Sequence, residues 1–222
     1  MHLTTQTRIL TLIWILMPNE GVFMSGSLTR RGFVFGSMAL AGVAASPAVA
    51  LTEAEATALV DRVVGDINRV IASGKSDAAI LRDFETLFVR YADVNIMAQY
   101  ALGSDGRSAT ASQKRAFTNA FKGYIARKYG KRFREFIGGR VDVESARPIR
   151  AGYEIRTTVY LRGDSPFDVA FHVSDRSGQD KFFNIFIEGV NLLLTERTEI
   201  GAMLDKRGGD INKLIADLKK AG

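Results

Sequence analysis

The groups in this chain that could move a proton or hold a metal are few, and their spacing argues against catalysis. His172 is the single histidine outside residues 1–50. It falls on the mixed face of an alternating segment, where an imidazole is far more often a surface or hydrogen-bonded group than a general base. The chain has no cysteine, which excludes a disulfide framework, a thiolate nucleophile and any cysteine-based metal site. Asp142, Glu144, Asp168 and Glu188 lie on the polar side of a strand alternation, where solvated charge is the default. No carboxylates pair as an acid and a base, and no histidine-rich metal spacing occurs. The sequence therefore predicts no catalytic residue, no metal and no cofactor.

Basic residues are the other chemically active group. Arg127, Lys128, Lys131, Arg132 and Arg134 gather on a segment otherwise dominated by aromatics. Such a cluster attracts nucleic acid, anionic lipid head groups or an acidic partner, and it equally suits the solvated face of a helix. Lys128, Lys131, Arg132 and the downstream Arg197 are the candidates for head-group or partner contact.

The first 50 residues read as targeting sequence. Thr29-Arg30-Arg31-Gly32-Phe33-Val34-Phe35 is a twin-arginine pattern, followed by a small and apolar run from Gly36 to Ser46 and an Ala48-Val49-Ala50 cleavage signal. Met24 stands at the expected distance before the arginine pair and is the expected start. The earlier apolar run, Ile9 to Met17, has only about half the residues of a spanning helix. Export removes nucleic acid from the partner classes. Cleavage near Ala50 would delete three basic residues (Arg8, Arg30, Arg31) and one acidic residue (Glu20), so the formal charge falls from +6 to +4. Residues 51–222 then have the length of a single domain with one sizeable core.

The elements that must position these groups follow from periodicity. Thr52-Glu53-Ala54-Glu55 is a capping box, followed at helical spacing by Ala56, Leu59, Val60, Val63, Val64, Ile67, Val70 and Ile71. A second helix starts near Ser76-Asp77 with Ile80, Leu81, Phe84, Leu87 and Phe88. A short third helix runs from Asp93 to Tyr100 and stops at Gly103. Thr110 and Gln113 open a long helix carrying Ala116, Phe117, Ala120, Phe121, Tyr124, Ile125, Tyr129, Phe133 and Phe136, closed by Gly138-Gly139. From Arg140 the period becomes two. Val141 and Val143, then Tyr153, Ile155, Thr157, Val159 and Leu161, then Phe167, Val169, Phe171 and Val173 share one face of successive strands. Short turns at 162–166 and 175–180 favour antiparallel pairing. The predicted fold is α+β: an antiparallel four-stranded meander with helices packed on one face, then two C-terminal helices.

In the fourth strand, Lys181 to Glu188, Phe183, Ile185 and Ile187 fall on one face and Phe182, Asn184, Phe186 and Glu188 on the other. The strand breaks at Glu188-Gly189. It is followed by an apolar hinge, Val190-Asn191-Leu192-Leu193-Leu194, too short to span a membrane.

This stretch resembles the MlaC family of periplasmic carriers, the toluene-tolerance type. The matching residues are Ile187-Glu188-Gly189-Val190-Asn191-Leu192, Arg197, Gly208-Gly209 and Asp210 to Ile215. Upstream, Tyr91-Ala92-Asp93, Ala101-Leu102-Gly103, Arg107-Ser108-Ala109-Thr110, Gln113 and Phe117 resemble the family in the same order, so the likeness runs from about Ala54 to Leu218. Gly106 stands where an aromatic often precedes the arginine, and Asn184 and Asn191 replace the commoner Asp and Ser. The resemblance implies a cone-shaped domain with a deep apolar pocket between sheet and helices, holding phospholipid acyl chains while the head group stays outside. It also implies a shuttle between an outer-membrane lipoprotein and porin complex and an inner-membrane ABC transporter, with no catalysis.

The residues whose apolar faces converge are the expected tail contacts: Phe121, Tyr124, Ile125 and Phe133 from the long helix; Val159, Leu161, Val169, Phe171 and Ile185 from the sheet; Val190, Leu192 and Leu194 from the hinge. Gly103, Gly106 and Gly189 are the expected points of movement, and a monomer is expected. Three alternatives stand beside this reading: a carrier of another membrane lipid such as a hopanoid, a small-molecule enzyme with His172 or a carboxylate inside the pocket, and an interaction protein with a fully packed interior.

Overall fold

The computed structural model describes residues 51–130 and 139–222. The leader expected over residues 1–50, and Lys131, Arg132 and Phe133 among the expected contacts, lie outside the described residues. Helices come first: α1 (Glu53–Ile71), α2 (Asp77–Tyr91), α3 (Val94–Leu102), a 3-10 segment (Gly103–Arg107) and α4 (Ala111–Gly130). The strands follow as β1 (Arg140–Ile149), β2 (Gly152–Tyr160), β3 (Phe167–Ser174), β4 (Lys181–Ile187) and β5 (Val190–Asn191), then α5 (Leu192–Asp205) and α6 (Ile211–Leu218). No helix among the described residues is long and apolar enough to cross a membrane.

Local chemistry sets several of these boundaries. The Thr52 amide donates to Glu55 Oε2 at 2.9 Å while the Glu55 amide donates back to Thr52 Oγ1 at 3.3 Å, a reciprocal cap for α1. Thr110 and Gln113 cap α4 in the same way, at 2.9 and 3.1 Å. Gly103 ends α3 at φ +63°, a left-handed conformation that a β-carbon disfavours.

The sheet is an antiparallel meander in the order β1-β2-β3-β4-β5, one strand more than expected. The extra strand arises inside the predicted hinge. Glu188 at φ +49° and Gly189 at φ +79° form a two-residue turn with both central residues left-handed, as a tight hairpin requires. Its anchor is Asp168, whose amide donates to Glu188 Oε1 at 2.5 Å and whose carbonyl accepts from the Glu188 amide at 2.9 Å. Val190 and Asn191 therefore fold back onto β4, and the leucine run opens a helix.

A second difference lies in β4. Val173 pairs with Phe182 and His172 with Asn184, so Phe183 is an extra residue and the alternation changes phase there. Phe182, assigned to the mixed face by simple alternation, is 5% exposed and packs edge-on against Phe171 at 5.8 Å. Phe183 turns outward onto His172, 5.7 Å between rings, while Ile185 and Ile187 stay on the inner face.

The described helices lie on the inner side. α1 packs across β1 to β3 and against α2, α2 packs on α4, α4 on α6, and α3 on α5. The Asp93 amide donates to the Phe182 carbonyl at 2.8 Å and pins the α2–α3 junction to β4.

The outer face carries a ladder of charge across three strands. Glu154 on β2 accepts from Arg147 Nε (2.7 Å) and Nη2 (2.9 Å) on β1, and from Arg156 Nε (3.1 Å); His172 Nε2 on β3 lies 3.2 Å away. These bonds, Arg147's foremost, overcome burial and hold the Glu154 carboxyl down to about 2. A carboxylate depressed in the folded state stabilises above its unfolded value, ~4.3, and loses that contribution as pH falls through its folded value. Folding stability, followed by urea denaturation, should therefore drop between about pH 5 and about pH 2. In Glu154→Gln that part of the acid dependence should be missing.

Candidate functional site

The sheet's inner residues and the helix stripes are apolar because each must bury a face, yet they do not close on one another. Between them lies a cavity of about 250 Å³. An engineered apolar cavity of ~150 Å³ already holds a benzene-sized guest, so this void is large enough for hydrocarbon. α1 contributes Val63, Val64 and Ile67; α2 contributes Phe84, Leu87 and Phe88; the sheet floor is Val159, Val169, Phe171 and Ile185. Val141, Val159, Phe167 and Ile187, which the register brings to one end of the sheet, are all in the wall. The last turns of α1 and α4 reach the wall through Asn68 and Gly130, and exposed Asn68 stands at the rim.

Polar groups in this wall mostly have partners within the protein. Thr157 Oγ1 donates to the Val169 carbonyl at 2.9 Å. Asn184 Nδ2 donates to Asn191 Oδ1 at 2.9 Å, and Asn184 Oδ1 accepts from the Leu193 amide at 3.3 Å. Asn191 also caps α5 by accepting from the Leu194 amide at 3.0 Å. The two asparagines that depart from the resembling family's pattern are thus one amide pair that starts this helix. Tyr91, also in the wall, donates its hydroxyl to buried Asp66 at 2.6 Å.

Glu196 is the exception. It lies on the buried stripe of α5 with Leu193, Ile200 and Leu204, is 2% exposed, and belongs to the cavity wall. Its Oε1 accepts from Lys128 Nζ at 2.7 Å and from the Tyr129 hydroxyl. Its Oε2 is buried without a partner among the described residues. Lys128 also donates to Glu199 Oε2 at 2.5 Å and to the Tyr124 hydroxyl at 3.0 Å, and Tyr124 donates to Glu199 Oε1 at 2.9 Å. Burial first, and then the charges of Glu196 and Glu199, push both tyrosine hydroxyls well above their ordinary range, so both remain donors.

The expected tail contacts divide into two groups. Phe121, Ile125, Val159, Val169, Phe171, Ile185 and Leu192 meet in the cavity wall. Tyr124 instead aims its hydroxyl at the Lys128 cluster, and Leu161 lies past the end of β2, packed on the core edge. Val190 pairs with Ile187 in the hairpin, and Leu194 is 50% exposed on the outer side of α5. Lys128, expected at the surface, has a side chain only 16% exposed, because an ammonium between two carboxylates and two aromatic rings is drawn inward. Arg197 is exposed and lies over the Tyr100 ring at 5.1 Å, against Gly103. His172 lies on the outer face, across the sheet from the cavity, so the enzyme reading keeps only its carboxylate.

The wall residues of α1 and α2 read in the sequence as ordinary core. Glu196 had a signal: a charge at the i+3 position of an apolar stripe.

A family model described as "MlaC protein" matches residues 58–220. The chain belongs to the MlaC family. Among solved structures, this MlaC chain is similar to a phospholipid-binding protein from Ralstonia solanacearum, solved in complex with a phospholipid. The two share 24% identity over 74% of this chain and 95% of the other, with a TM-score of 0.63, so they share a fold.

Removing the ammonium from this MlaC chain would leave two carboxylates and two tyrosines without their shared partner. Lys128→Ala should cost on the order of 3 kcal/mol in urea denaturation. An exposed lysine would cost within ~0.5 kcal/mol.

Proposed function

We propose that this protein is a periplasmic lipid carrier that buries the acyl chains of a phospholipid and moves it between the outer and inner membranes. The observation that carries this reading is the cavity left open between the sheet and helices α1, α2 and α4, with hydrocarbon on nearly every side. A protein with a fully packed interior has no such space. MlaC family membership and the shared fold with a phospholipid-bound protein support the same reading. The twin-arginine pattern and cleavage signal support export of residues 51–222 as one lipid-binding domain. In this role the protein hands lipid to and from an outer-membrane lipoprotein and porin complex and an inner-membrane ABC transporter, works as a monomer, and catalyses no covalent step.

The energetics set the mode of action. At ~0.8 kcal/mol per methylene, two chains of about fifteen methylenes are disfavoured in water by on the order of 20 kcal/mol. Only burial along most of their length lets them cross an aqueous space. The cavity of about 250 Å³ is smaller than the ~300–1,000 Å³ typical of sites that bury a drug-sized ligand. Taking up two chains therefore requires α1 and α2 to move away from the sheet, so loading is a shift between a closed and an expanded state.

Purification under native conditions, solvent extraction and mass spectrometry test the proposal. Stoichiometric phospholipid is expected. Protein that arrives empty and takes nothing from phospholipid vesicles overturns the reading, and a bound cyclic polyterpenoid replaces the lipid class. Val159→Phe combined with Val169→Phe fills the floor of the cavity with hydrocarbon. This variant should lose bound lipid while keeping its melting temperature; undiminished lipid would count against the cavity as the site.

A further inference from the structure

We infer that Glu196 makes this site selective for phospholipids bearing a primary ammonium, by accepting a hydrogen bond from that group at Oε2. The inference rests on the carrier reading above and adds to it a chemical preference for the head group.

The starting point is the unmatched oxygen. A buried carboxylate oxygen without a donor is rare, because losing its hydration without replacement destabilises the fold. Glu196 Oε1 shows what the site otherwise provides, since Lys128 and Tyr129 both donate to it. Oε2 meets no donor among the described residues, although its residue forms part of the cavity wall. The missing donor is supplied when the ligand arrives.

Charge selects which donor fits. Lys128 is the only cation bonded to this cluster among the described residues, and it is shared between Glu196 and Glu199. Among the described residues, one ammonium between two carboxylates leaves the cluster one formal negative charge in excess. A second ammonium neutralises it, whereas an anionic phosphoglycerol head group adds to the repulsion.

Position agrees with this. Glu196 lies in the second turn of α5, which begins directly after the β4–β5 hairpin. That hairpin, Val141, Val159 and Phe167 lie at one end of the sheet, and Tyr129 and Gly130 from the last turn of α4 reach the same wall. A lipid with its chains along the sheet floor and its head group at this end brings an ammonium to α5 rather than to the cavity floor.

The test uses vesicles of phosphatidylethanolamine, phosphatidylcholine and phosphatidylglycerol in equal parts with identical acyl chains. Phosphatidylcholine matches phosphatidylethanolamine in charge and carries three N-methyl groups in place of the N–H donors. The wild-type protein, incubated and re-isolated, should carry phosphatidylethanolamine over each of the others by about tenfold, the ratio expected for one hydrogen bond to a charged group. Glu196→Gln keeps the shape of the side chain, and in whatever lipid the variant carries that preference should fall to near unity. Wild-type protein loaded with all three in vesicle proportions overturns the inference and leaves the carrier reading intact, even if the variant fails to fold. A preference that persists in a folded Glu196→Gln protein overturns it as well. Wild-type protein that takes up none of the three overturns the carrier reading and this inference together.

Discussion

An apolar void of about 250 Å³ is the constraint on which the rest of the molecule depends. At ~24 cal/mol per Å³, leaving such a volume empty forgoes about 6 kcal/mol of packing, in a class of molecule whose total stability is ~5–15 kcal/mol. A chain with no other reason to keep the space would fill it by letting the helices settle onto the sheet. Here Phe84, Phe88, Phe121, Phe167, Phe171 and Phe182 line the void instead. Phe117, Phe121, Ile155 and Val173 are almost fully buried, and α6 backs α4 through Leu214 and Leu218. The core is a shell.

A shell needs its joints fixed by directional bonds, because apolar contacts across a void cannot fix them. Lys128, Tyr124 and Tyr129 hold α4 to α5 through Glu196 and Glu199. The Asn184–Asn191 amide pair holds the start of α5 to β4, and the Asp93 amide holds the α2–α3 junction to the same strand. In contrast, α1 and α2 meet the rest mainly through hydrocarbon, with the Tyr91–Asp66 bond tying them to each other. This division sets the pair held mainly by hydrocarbon apart from the walls that directional bonds tie.

Much of the fold was legible from residues 51–222 because its signals are local. The capping pairs at Thr52 and Thr110, the switch from helical to alternating period at Arg140, and the turns between strands each depend on neighbours within a few positions. The two misreadings, in β4 and at Val190 to Leu194, share a cause. A bulge at Phe183 and a tight turn at Glu188-Gly189 are set by pairing with β3, and alternation read along one strand cannot register an inserted residue. Seven of the twelve expected tail contacts meet in one wall for the same reason that they were legible, since an inward-facing residue on a strand or stripe is inward whatever the interior holds.

The sequence by itself determined that this chain is α+β, which faces are buried, that neither a cysteine nor a histidine pair is present for chemistry, and that an MlaC-like pattern closes its sheet. Only the tertiary structure decided that the buried faces enclose space instead of filling it, because periodicity reports the direction of a side chain and not the distance to whatever faces it. The tertiary structure also turned Lys128 from a surface charge into a buried tie and left Glu196 with one oxygen unmatched. Both outcomes depend on side chains of α4 and α5, some seventy residues apart in the chain, reaching one another, and no local rule fixes that meeting.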